Sequence, residues 1–141
     1  MIVHCAQQLA GKLPEVSRSP LEEASPLGGW HGQRFTLDRR QCVMFCHDAS
    51  CYILFLRGLR KEHFTKLADE FRQLFLATLV PLGCTDVQVR KVEVALGPVR
   101  FDTATDRSVL GTLQVARHDL EVWLMRLANV MDLIRLPPPV G

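Results

Sequence analysis

The sequence predicts an α+β fold, an antiparallel sheet covered by helices. Residues 42–56 carry the first sign: two short apolar runs, Cys42–Cys46 and Cys51–Leu56, flank the polar stretch His47-Asp48-Ala49-Ser50. That pattern, rich in β-branched and aromatic residues, is that of a β-hairpin. Neither run alternates. Met44 and Phe45 are both apolar, as are Leu54 and Phe55, so the hairpin needs cover on both faces. The third sign is helical: apolar residues recur at three- and four-residue spacing from Phe64 to Leu79, and again from Val109 to Ile134.

Taken in order, residues 1–5 read as a short strand and Ala6 to Leu13 as a brief helix stopped by Pro14. Residues 14–29 hold three prolines, three serines and two glycines, a loop long for a compact domain. Its plain reading is a solvated connector, and its sharper one a contact loop. Trp30 to Leu37 alternates, with Phe35 and Leu37 on one face and Arg34 and Thr36 on the other. With Asp38-Arg39-Arg40-Gln41 as a turn, residues 30–56 form a three-stranded antiparallel meander. A helix is expected over about 60–80, ended by Pro81. Thr85-Asp86-Val87-Gln88 fits a capping box and opens a helix over about 86–96, with Val89, Val92 and Leu96 inward. A short strand follows at 99–101, then a last helix at about 107–135. The prediction is one domain over 1–136, with an extended Pro-rich tail at 137–141.

Composition excludes several classes. Apolar residues make up 48% and charged residues 23%, an ordinary globular balance. No run approaches the roughly 20 apolar residues of a membrane helix, and Met1–Gln8 lacks the charge and apolar core of a signal peptide. Five cysteines without secretory context suggest reduced thiols and a cytoplasmic protein. The net charge of +2 alone does not point to nucleic acid.

Catalytic motifs are scarce. Cys51 and Arg57 have phosphatase-loop spacing, but the residues between them, Tyr52-Ile53-Leu54-Phe55-Leu56, form a strand rather than a phosphate cradle. Cys42, Cys46 and Cys51 could be offered as zinc ligands. Packing as small hydrophobes explains them more simply, so no metal and no cofactor is expected. His47 and Asp48 could make an Asp-assisted base of a small nuclease or hydrolase, though both sit in a turn where Asp caps its own backbone. Asp102 and Asp106 flank the last helix, where N-terminal capping is the plain role.

Cations are more suggestive. Arg34, Arg39, Arg40, Arg57, Arg60 and Lys61 face only Asp38 and Asp48 over residues 30–61, a local excess of four positive charges. In a meander the 38–41 turn and the end of the third strand share one end of the sheet, so these groups could form a patch for phosphates or an acidic protein. Tyr52 is the sole tyrosine, so no base-stacking platform is evident.

The segments Trp30-His31 through Phe35-Thr36-Leu37-Asp38-Arg39-Arg40-Gln41-Cys42, and Thr105-Asp106-Arg107-Ser108-Val109-Leu110-Gly111, resemble a family of short bacterial proteins classed as a domain of unknown function. So does the opening Ile2-Val3-His4-Cys5. After Gly111 this chain continues Thr-Leu-Gln-Val, where the family more often has Ser-Met-Asn-Asp. The resemblance implies a plasmid or transposon context, transfers no catalytic residue, and singles out Arg39, Arg40, Arg107 and Ser108. The expectation is a non-catalytic binding protein acting on a protein or protein–nucleic-acid machine of mobile elements or phage defence, as an inhibitor in one version, with nucleic acid as a further partner and no membrane. Homodimer formation through Val122, Trp123 and Val130 of the last helix is the structural alternative.

Overall fold

A computed structural model describes the backbone of residues 1–134 and the side chains of residues 1–122. In chain order the elements are β1 (Ile2–Cys5), α1 (Gln7–Ala10), β2 (Trp30–Leu37), β3 (Arg40–His47), β4 (Ile53–Leu59), α2 (Lys61–Thr65), α3 (Leu67–Leu79), α4 (Asp86–Leu96), β5 (Arg100–Asp102) and α5 (Arg107–Ile134). The fold is α+β. Its strands form one five-stranded sheet in the order β4-β3-β2-β1-β5.

The meander is present as expected: β2 pairs β3 and β3 pairs β4, all antiparallel. The rest of the sheet is parallel, β1 lying between β2 and β5 and running with both, so the sheet is mixed rather than antiparallel. Residues 6–29 supply the reason. A parallel neighbour needs a crossover of a dozen or more residues, and α1 with the 14–29 segment is that return. The segment is a largely exposed connector, as its plain reading has it, and it is pinned at a few points. Ser17 bridges to Asp102, Leu21 N–H donates to Asp102 Oδ2, and Glu23 Oε2 accepts from Ile2 N–H at 2.8 Å.

Each sheet face is buried against helices, which is why the hairpin strands are apolar on both sides. One face carries Val3, Trp30, Val43, Phe45 and Leu54, packed by Leu9 of α1, Phe64 of α2, Leu67 and Phe71 of α3 and Leu96 of α4. The opposite face carries Phe35, Cys42, Met44 and Cys46 under Val109, Leu113 and Leu120 of α5. The expected 60–80 helix is two helices, broken at Lys66 (φ −118°, ψ 28°). The 85–88 capping box forms as the spacing requires: Thr85 Oγ1 accepts from Gln88 N–H and Gln88 Oε1 from Thr85 N–H. Among the described residues no helix is long and apolar enough to cross a membrane. The 137–141 tail and the side chains of Trp123 and Val130 lie outside the described residues.

Candidate functional site

Two polar constellations sit at opposite ends of the sheet. The first is cationic. β2 and β3 are joined by Asp38-Arg39, with Leu37 paired to Arg40, and both joining residues have positive φ (50° and 64°). A two-residue hairpin loop of that shape is the type I′ turn, which favours Asn-Gly or Asp-Gly because its backbone is left-handed. Here Arg39 occupies the glycine position. Across the sheet, Gln41 pairs Leu59 and Cys42 pairs Arg57, which leaves Gly58 as an extra residue in a bulge. Its φ of +71° explains the glycine, and Arg40 Nη1 lies 3.9 Å from where a Cβ would stand. Arg57 Nη2 comes within 3.9 Å of Asp38 Oδ2, both side chains being largely solvated. Arg60 and Lys61 follow at the start of α2, exposed like Arg39 and Arg40.

Arg34, counted with this patch from the sequence, lies elsewhere, and so do Arg107 and Ser108, which the family resemblance singles out. Arg34 points to the other face, where Nε donates to Gln8 O and Nη1 to Gln41 Oε1, bracing α1 against β3. Arg107 and Ser108 open α5 beside His31. From His31 to Leu37 is six strand steps, about 20 Å, so they belong to the opposite end. Ser108 Oγ–H donates to Asp106 Oδ1 at 2.6 Å. That bond, with the Ser108 and Val109 amides, holds the Asp106 carboxyl below its usual range.

The second constellation is a histidine–aspartate seam. The strand expected at 99–101 is displaced by one residue, to Arg100–Asp102, and its Asp102 pairs with His4 of β1; His4 in turn pairs with His31 of β2. Paired residues share a face, so Asp102, His4 and His31 form a row on the α5 side. Asp102 is fully buried and does not cap α5, contrary to its plain sequence reading. Its carboxylate accepts from His4 Nδ1–H at 2.6 Å, Leu21 N–H at 2.9 Å and Ala104 N–H at 3.1 Å. His31 Nε2 accepts from the Asp106 amide at 2.8 Å, so its proton sits on Nδ1 and is donated to Asp48 Oδ1 at 2.7 Å. At His4 the Nδ1 proton is donated to the Asp102 carboxylate, and in the neutral ring Nε2 then keeps its lone pair, 3.9 Å from Asp48 Oδ2. A Cβ at Gly29 would lie 3.2 Å from each of those two atoms.

His47, the histidine expected to work with Asp48, is committed instead. Its Nε2–H donates to Leu27 O at 2.6 Å and its Nδ1 accepts from Ser50 Oγ–H at 2.7 Å, which ties the 14–29 segment to the β3–β4 turn. Asp48 does join a histidine pair, with His31 and His4. The sequence alone does not bring them together, since His4, His31, Asp48 and Asp102 come from four separate segments. Cys42 and Cys46 are buried on the α5 face and Cys51 is exposed. Burial, with Cys51 and Asp48 nearby, pushes the Cys46 thiol up to about 11, and burial raises Cys42 too, which disfavours the thiolates zinc requires. Among the described residues no group of three or more His, Cys, Asp or Glu is arranged to hold a metal ion.

Residues 2–136 match the profile of a family described as Domain of unknown function (DUF6933), and the chain belongs to that family. No curated protein and no solved structure is significantly similar to it.

Proposed function

We propose that this protein acts by binding, taking an acidic protein surface at the arginine end of its sheet. The observation that carries the reading is Arg39 at a left-handed turn position. A non-glycine residue there costs about 1–2 kcal/mol of backbone strain, and strain kept at an exposed turn marks a position held for something other than stability. Around it stand Arg40, Arg57, Arg60 and Lys61, opposed by the exposed Asp38. An acidic protein is favoured over nucleic acid because, among the described residues, this end presents no exposed aromatic side chain on which a base could stack. The biological setting that fits such a module is mobile-element or phage-defence machinery, with inhibition of the partner as the outcome. The test is affinity capture from the native host with wild-type protein and with Arg39→Glu/Arg40→Glu. The variant should fold normally and lose the partner; an unchanged partner set would sink the proposal.

A further inference from the structure

We propose that the Asp102–His4 pair, with Asp48 opposite, is a general-base site that hydrolyses a small uncharged ester-type substrate, an activity separate from binding at the arginine end. Four observations support it. Asp102 is wholly buried and holds His4 Nδ1–H at 2.6 Å, which fixes the ring so that Nε2 presents its lone pair. The His4 and Asp48 side chains remain 18% and 32% exposed, so the pair is within reach of solvent. Nε2 and Asp48 Oδ2 are 3.9 Å apart, too far to bond each other. A hydroxyl ~2.8 Å from both would subtend an angle of about 90°. Finally, the space between them exists because residue 29 has no side chain.

Asp48 itself is held by His31, whose far nitrogen is anchored on the Asp106 amide at the start of α5. The acceptor oxygen opposite His4 is thus fixed from a separate element. Preorganisation of base and orienting carboxylate on strands and a helix start is what proton transfer needs.

In the reaction, His4 Nε2 takes a proton from a water molecule that donates its other hydrogen to Asp48 Oδ2. The water oxygen forms a bond to the carbonyl carbon while the C=O π pair moves to oxygen. When the carbonyl re-forms, the carbon–oxygen bond to the leaving group breaks, and that alkoxide recovers the proton from His4 Nε2–H. Acid and alcohol result. Substrate charge follows from the surroundings: Asp48 Oδ2 stands opposite His4 Nε2, so a phosphate ester would meet a carboxylate.

The test uses full-length protein with p-nitrophenyl acetate as probe and p-nitrophenyl phosphate as its anionic counterpart. Acetate hydrolysis should exceed that of five equivalents of free imidazole, and His4→Gln should lower it by about 100-fold, the scale of a lost general base. Gly29→Ala keeps the Asp102–His4 pair but fills the space before Nε2, so it should lose activity while its amide spectrum stays that of the wild type. His118→Gln, which removes an exposed imidazole from α5, should change nothing. A wild-type rate no higher than the imidazole background, full activity in folded Gly29→Ala, or faster turnover of the phosphate would overturn the proposal.

Discussion

Replacing Arg39 by glycine should make the protein more stable and its partner binding weaker. Asp38 and Arg39 form a two-residue turn with φ of 50° and 64°, a geometry in which a Cβ crowds the following carbonyl. Relief of that contact at Arg39 is worth about 1–2 kcal/mol. Glycine returns part of it, because the unfolded chain gains about 0.5–1 kcal/mol of conformational freedom at that position. The net gain is about 0.5–1 kcal/mol. Unfolding entropy near 2.1 cal/mol/K per residue converts that to a rise of about 2–3 °C in Tm. Urea unfolding followed by circular dichroism reads it directly, as a higher midpoint at constant slope. Loss of one rim cation should meanwhile weaken an acidic peptide about two- to fivefold. An unchanged or lower midpoint would show that the turn stores no strain. A higher midpoint with undiminished peptide affinity would show that the strain serves no binding role.

Other perturbations separate the seam, the core and the thiols. Asp102→Ala strips a fully buried acceptor from three part-buried donors and should cost about 3–5 kcal/mol, whereas Asp102→Asn keeps one acceptor oxygen and should cost about 1–3 kcal/mol; urea midpoints should follow that order. Gly32 is pressed by Leu9, since a Cβ there would lie 2.9 Å from Leu9 Cδ2. Gly32→Ala should therefore push α1 off the sheet, at a cost of about 1–3 kcal/mol, while Gly11→Ala, 3.6 Å from its nearest neighbour, serves as the mild control. Burial, with Asp102 nearby, pushes Cys5 up to about 12, and Cys46 stands at about 11. Iodoacetamide at pH 8 should thus label Cys51 readily and leave Cys5, Cys42 and Cys46 intact, as peptide mass mapping would report. The sign for stability is equally definite. Above the ordinary thiol value of 9.0 the unfolded chain ionises these groups and the folded one does not, so stability should fall as pH rises from there toward 12.

How much of this could be read from the chain differs by element. The β3–β4 hairpin was legible because Met44-Phe45 and Leu54-Phe55 break alternation, and strands of that kind must be covered twice. Helix α4 was legible because its cap is local, Thr85 and Gln88 being one turn apart. The parallel placement of β1 was not, because a four-residue strand carries no direction and the choice is made by the crossover through residues 6–29. Arg34 shows the same limit from another side. Its alternation with Phe35 correctly put it on the opposite face, and nearness in sequence wrongly grouped it with the turn arginines. The seam was beyond reach, since His4, His31, Asp48 and Asp102 meet only through sheet pairing, with His4 and Asp102 standing 98 positions apart in the chain. The one trace was His31, a polar residue between Trp30 and Gly32 in a strand start that is fully buried.

The central claim, that the arginine end is the contact surface, is tested most directly by titrating 15N-labelled protein with an oligoglutamate peptide and following its amide resonances. Shifts confined to residues 38–41 and 57–61, abolished in Arg39→Glu/Arg40→Glu and weakening with added salt, are the expected result. Shifts centred on Arg107 and Ser108, or none at millimolar peptide, would contradict it.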